Sequence, residues 1–317
     1  MGEINKKILL IRSGSYLYGT NTPNSDQDRL GIFLNTKKEA LGLNSAEELT
    51  ENVISKAENG RNTKDAVDCK FYELRKFCRL AMNGNPTVLE ILFVNPENIL
   101  EITEEGRELL SLKKEFISQR IYHSFMGYAF SQRRKAFEKA ENIENLMKLY
   151  KYIDKSLEYN ETHDTIISVG VSNLIKNGME LLDDGRFKCG DLTFNNILIK
   201  KLKSILKDRI NKASWRKDGI LKHGMDYKFM SHNIRLMLEG MELMDTQNLI
   251  LPLSYKDLIV QIKTGQMENI KVIELMNKLE DKFHSYKDNI PLPKSANFEK
   301  INNYIVKTYY NYLMGLK

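Results

Sequence analysis

Asp26 and Asp28 stand one residue apart at the head of the apolar run "DRLGIFLN" (28–35), and ten residues separate them from the pair Gly14-Ser15. In an extended segment side chains alternate between faces, so the two carboxylates point the same way. Like charges this close repel, and a divalent cation resolves the repulsion. Clustered carboxylate oxygens suit Mg²⁺, which takes hard oxygen ligands and keeps several waters. Such a centre pairs with a bound triphosphate, whose charge two ions neutralise while one of them activates an incoming hydroxyl. A third carboxylate normally completes the clamp. Asp68, heading "DCKFYEL" (68–74), is the best placed, and Asp65 is the rival. Gly14 lets a phosphate approach the main chain. Ser15 adds a hydroxyl and an amide at the start of a short helical turn, where anions are favoured. No G-x-x-x-x-G-K-[ST] run occurs, so this is not a Walker A loop. Either pair alone is a weak signal. At this spacing, between two apolar strands and with a later acid heading a third, they become specific.

Holding these groups together requires a sheet. "KILLIR" (7–12) reads as a short buried strand stopped by Ser13-Gly14, and "DRLGIFLN" as a second. "DCKFYEL" is the third and runs into the helical pattern "ELRKFCRLAM" (73–82). Residues 37–64 are polar, with Ser45-Ala46-Glu47-Glu48 resembling a helix start and "ENGRN" (58–62) a turn. Asn83-Gly84 breaks the helix, and Thr87 with Glu90 three residues on fits a capping box for the next one. From about Leu112 helical spacing dominates, over 113–140, 143–158, 165–183, 195–212, 226–245, 268–287 and 297–314, with a strand-like piece at 187–194. The expected fold is α+β. A head of small mixed sheet and helices occupies residues 1–112, and a mostly helical domain follows over 113–317.

A chain of 317 residues that is 42% hydrophobic and 28% charged has the make-up of a globular protein with a full core. No apolar run approaches the ~20 residues of a membrane span. The opening stretch is too short in apolar residues for a signal peptide, and position six lacks the Ser/Thr of a myristoylation signal. Cys69, Cys78 and Cys189 form no C-x-x-C pair, which predicts reduced thiols in a cytoplasm and excludes a zinc or disulfide framework. The net charge of +6 is unevenly spread: residues 1–112 carry 14 Lys/Arg against 17 Asp/Glu, whereas 200–235 carry 11 Lys/Arg against 3 Asp. That later segment is either a footprint for a polyanion or a solvated, lysine-rich helical face.

The Gly-Ser pair followed by an Asp-x-Asp on a strand resembles the nucleotidyltransferase signature of the DNA polymerase β superfamily. "GSYLYGTNTPNSDQDRLGIF" together with "DCKFYELRKFCRLAMNGNPTVLEILF" is similar to the RlaP type of predicted nucleotidyltransferase, found in bacteria and their phages and linked to RNA repair. The likeness is strong over about residues 8–95. It is thin beyond, where "MGYAFSQRRKAFE" (126–138) and "KHGMDYKFMSHNIRLMLEGMELM" (222–244) echo the family's helical half. The resemblance implies a polymerase-β-like head and Mg²⁺-dependent transfer of a nucleotidyl group from an NTP such as ATP, with release of pyrophosphate. It places two Mg²⁺ ions, for which Mn²⁺ would substitute, on Asp26, Asp28 and Asp68, and the triphosphate on Gly14 and Ser15. Lys70, between otherwise apolar neighbours in "DCKFY", departs from the pattern and makes Asp68 a weaker assignment than the first pair.

Lys228, His232 and Arg235 are spaced by four and three and share one helical face, opposite a core stripe of Ile234, Met237, Leu238, Met241 and Met244. That face either meets a triphosphate or nucleic acid, or is simply solvated, and Glu239 on the same side favours solvent. Tyr128, Gln132 and Lys135, beside Arg133-Arg134, suit either base stacking or a core tyrosine with a basic rim. Glu161, His163 and Asp164 in "YNETHD" lack metal-ligand spacing. Trp215 packs or stacks, and Arg61 falls in a turn without an assigned role. Transfer to an RNA end, tRNA-like, fits the basic segment best. Two rivals remain: nucleotidylation of a protein or small-molecule hydroxyl, and a non-catalytic RNA-binding protein.

Overall fold

Ile8, Leu9 and Ile11 are wholly excluded from solvent, as a strand buried on both faces requires, and the strand they form sits inside the first sheet. The computed structural model describes residues 5–23, 25–53 and 67–316. Asp65, Arg61 and the turn expected at 58–62 lie outside these residues, as do the side chains of Trp215 and His223. The head runs β1 (Lys6–Arg12), α1 (Gly14–Tyr18), β2 (Gln27–Leu34), α2 (Lys37–Leu41), β3 (Glu48–Val53), β4 (Val67–Glu73), α3 (Leu74–Met82), α4 (Pro86–Leu89), β5 (Ile99–Ile102) and α5 (Glu104–Ser111). Its sheet has the order β3-β4-β2-β1-β5. β2 is antiparallel to β1 and parallel to β4, while β3 and β5 pair antiparallel at the edges. Polar side chains start the helices: Thr36 and Glu39 form a reciprocal box on α2, and Glu73 and Thr103 accept first-turn amides of α3 and α5.

The rest is mostly helical: α6 (Arg120–Lys155), α7 (Val171–Lys176), the strands β6 (Met179–Leu181), β7 (Phe187–Cys189) and β8 (Leu192–Phe194), then α8 (Ile199–His223), α9 (Tyr227–Thr246), α10 (Lys256–Lys263), α11 (Asn269–His284) and α12 (Phe298–Met314). The expected α+β class, a mixed-sheet head with a helical remainder, is the one observed. The chain divides into two compact units. The first holds residues 1–130, 233–261 and 270–317, and the second 131–232 and 262–269. The boundary drawn from sequence after residue 112 falls inside the first unit, to which α11, α12 and most of α9 also belong. In the second unit the three short strands form an antiparallel sheet, and Leu149, Ile166, Phe187, Leu202 and Leu206 build its core.

Local readings failed in four places. Ser45 to Glu48 starts no helix; Glu48 opens β3, where Glu47 and Glu48 pair with Lys76 and Lys70. The helical spacing at 165–183 yields only α7 and then β6. The stretches 113–140 and 143–158 are one helix, α6, after a single turn at Lys113–Phe116. Asn85, not Thr87, caps α4 by accepting from Val88 N, with Pro86 as the first helical residue. Glu90 therefore does not reach back as a capping side chain; it is buried, 2% exposed.

Candidate active site

Parallel pairing of β2 with β4 sets Asp28 directly beside Asp68. Paired residues of neighbouring strands point to the same face, and Asp26 precedes β2 by one position and shares the side of Asp28. Asp26, Asp28 and Asp68 each offer a carboxylate oxygen, and these oxygens lie within 4.8 Å of one another. All three predicted acids are thus brought together by strand register. Asp26 and Asp68 are exposed and Asp28 is half-buried. A set of carboxylate oxygens open to water fits a divalent ion with hard-ligand preference and room for its remaining waters.

The turn before β2 is fastened to the triad. Ser13 N donates to the Asp28 carbonyl at 2.8 Å, so α1 starts at the level of Asp28. Gly14 has φ of +59°, and a Cβ built there would lie 2.2 Å from Asp28 Oδ2. Two constraints therefore demand glycine: the left-handed backbone and the carboxylate occupying the place of a side chain. The sequence reading assigned this glycine to the approach of a phosphate; the structure shows that the approach of Asp28 already requires it. We expect Gly14→Ala to displace the Asp28 carboxylate, at a folding cost of about 1–3 kcal/mol from backbone strain. Urea unfolding and isothermal titration with Mn²⁺ measure the two effects, and wild-type Mn²⁺ affinity in that variant would refute the second.

α1 leads inward from this turn to a buried group of charges within the same unit. Tyr18, at its end, donates its hydroxyl to Glu90 Oε2. Arg235 Nη1 donates to Glu90 Oε1 at 2.9 Å and to both oxygens of Glu239 at 2.7 Å. The guanidinium also lies 3.9 Å from the centre of the Tyr18 ring. Glu239 is fully excluded from solvent and Arg235 is 7% exposed. Burial, opposed by the Arg235 charge and reinforced by Glu90, pushes the Glu239 carboxyl well above the usual carboxylate range. Burial likewise raises the Tyr18 hydroxyl. Two buried acids share one guanidinium in this dry site, and the excess of acids over cations favours the protonated form of Glu239.

Arg235 consequently does not share an open face with Lys228 and His232. Lys228 is exposed and His232 half-buried, both in the second unit, whereas Arg235 belongs to the first. Glu239, read as a sign of solvent, marks the opposite. The expected core stripe is real, with Ile234, Met237, Met241 and Met244 buried, but α9 is also buried on its polar side. Sequence reasoning missed Tyr18, Glu90 and Glu239. The available signals were a carboxylate inside the apolar run "VLEILF" and the four-residue spacing of Arg235 and Glu239.

Of the weaker candidates, Tyr128 accepts a hydrogen bond from Asn85 Nδ2 at 2.8 Å and is 40% exposed. Gln132 is half-buried and Lys135 exposed. Glu161 pairs with Lys200, and Asp164 accepts from Asn160 N and Ser168 Oγ, so the "YNETHD" acids serve their loop. In the basic segment Lys200, Lys203 and Arg209 pair with Glu161, Asp154 and Asp191 of the same unit. No helix among the described residues is long and apolar enough to cross a membrane.

Residues 3–157 match the model of the RlaP family, described as RNA repair pathway DNA polymerase beta family. The chain is 26% identical over 290 residues to an uncharacterised 38.9 kDa protein from the nrdC-mobD intergenic region of enterobacteria phage T4, covering 84% of this chain and 85% of the phage protein. No solved structure matches.

Proposed function

Because residues 3–157 match the RlaP family of polymerase-β-type RNA-repair proteins, we propose that this protein transfers a nucleotidyl group from an NTP to an acceptor hydroxyl at an RNA end. The observation that carries the reading is the convergence of Asp26, Asp28 and Asp68 within 4.8 Å, next to the Gly14 turn. The acceptor oxygen bonds to the α-phosphorus as the bond from that phosphorus to the α–β bridging oxygen breaks, and pyrophosphate leaves. A divalent ion held by the three carboxylates, Mg²⁺ or Mn²⁺, would offset the triphosphate charge and lower the pKa of the attacking hydroxyl. Gly14 and Ser15 present main-chain amides and a hydroxyl to the phosphates at the start of α1, where Ser13 gives no side-chain cap. Catalysis is then mostly positioning and charge neutralisation.

Asp68, exposed at the head of β4, serves the acceptor hydroxyl more than the triphosphate. Asp68→Ala is therefore expected to lower kcat by about 10²-fold or more while KM for NTP changes little; a rise in KM at unchanged kcat would reverse the assignment.

A protein or small-molecule acceptor is the second reading, favoured by the neutralisation of Lys200, Lys203 and Arg209 within their own unit. Incubation with each α-labelled NTP, Mg²⁺ and either total RNA or RNA-free extract separates the acceptors by where the label appears. Salt-dependent RNA binding with no labelled species would instead mark a binding protein without transfer.

A further inference from the structure

α1 contains five residues, too few for the hydrogen bonds of a single turn to offset the loss of chain freedom. Its position must come from outside. Ser13 N holds its start to the Asp28 carbonyl, and Leu253 N donates to the Tyr18 carbonyl at 3.2 Å near its end. The Tyr18 side chain adds a third tie, reaching Glu90 with its hydroxyl and stacking its ring under Arg235. Glu90 follows α4 and Arg235 and Glu239 lie on α9, so the group joins these stretches of the first unit to the end of α1. A buried ion cluster gains little stability over apolar residues of the same volume. What it adds is a fixed geometry, because every donor has a set direction and every missing partner is costly. The raised carboxyl of Glu239 agrees with a closed set in which Glu90 takes the bonds of Tyr18 and Arg235.

We propose that Tyr18, Glu90, Arg235 and Glu239 form a positioning clamp that holds the Gly14–Ser15 turn against Asp28 and thereby sets triphosphate affinity, with Tyr18 as the transmitting residue. The inference rests on the nucleotide reading of that turn. Arg235 acts here through Glu90 and Tyr18, not by touching the nucleotide as its sequence position suggested.

Tyr18→Phe is the informative variant, since it keeps the ring beneath Arg235 and removes only the hydroxyl bonded to Glu90. Tyr304→Phe is the control: Tyr304 is also buried in the same unit and its hydroxyl donates to the Glu105 carbonyl at 2.8 Å. Two measurements are made on each full-length variant, amide hydrogen exchange over residues 14–20 and equilibrium binding of a non-hydrolysable ATP analogue with Mg²⁺. Tyr18→Phe is expected to exchange faster over 14–20 and to bind the analogue roughly ten-fold more weakly, the scale of one hydrogen bond to a charged group. Tyr304→Phe should leave both unchanged even if its melting temperature falls as far. Unchanged exchange in Tyr18→Phe overturns the clamp, and faster exchange with unchanged affinity overturns its role in nucleotide binding. Failure of the wild type to bind any Mg²⁺-NTP analogue counts against the nucleotidyltransferase reading itself, while the exchange measurement still decides whether the clamp holds the turn.

Discussion

Asp28→Asn is expected to reduce nucleotidyl transfer at least about 10³-fold while the protein stays folded. The substitution keeps the shape of the side chain against Gly14 and removes one of the three charges of the triad. Loss of one preorganised electrostatic contact to a reacting group typically costs about 10²–10³ in rate, and in the proposed mechanism the same group also helps to hold the cation. Removing one of three clustered negative charges relieves repulsion in the metal-free protein, so the melting temperature should hold or rise slightly. Mn²⁺ titration should show weaker binding in parallel. A variant with wild-type turnover, or one whose far-UV spectrum shows it unfolded, would end the assignment of Asp28 to the centre.

The second large effect lies in the buried charges. Arg235→Leu is expected to destabilise the first unit by about 3–5 kcal/mol, the range for breaking a buried ion pair by removing one partner. Glu90 and Glu239 would be left to share a dry site without their cation, and Tyr18 would lose its stacked guanidinium. Urea unfolding checks the figure, and a loss below about 1 kcal/mol would show that the cluster is weaker than its geometry implies. Glu239→Gln should behave in the opposite way. The folded-state pKa of Glu239 is raised above its ordinary value of 4.5, so the stability contributed by its proton is complete below about pH 4.5 and is lost as pH rises through the raised value. The amide needs no proton, so Glu239→Gln should be at least as stable as the wild type at neutral pH, with a flatter decline from acid to neutral. Tyr18, Arg235 and Tyr255, which face the same carboxyl, have pKa values pushed up and keep their charge states throughout. A steeper decline in the variant would show that Glu239 is ionised in the fold.

The sequence by itself determined the first two strands of the head and the turn between them. Period-two alternation at Asp26 and Asp28, apolar strands of the right length and a Gly-Ser pair are local features, and local sterics fix them before any tertiary contact forms. The same locality made the helices at 226–245, 268–287 and 297–314 legible, because each carries a regular apolar stripe. Tertiary structure alone decided the rest. β3 formed where charged residues suggested a helix start, since an edge strand gains its hydrogen bonds from β4 rather than from its own composition. Asp68 joined the triad through parallel register with β2, a pairing between segments 40 residues apart that no spacing rule states. Arg235, Glu239 and Glu90 read as surface or capping residues because charge is ordinarily solvated. Their burial is tolerable only as a group, and the group exists only once α1, the segment after α4 and α9 have met.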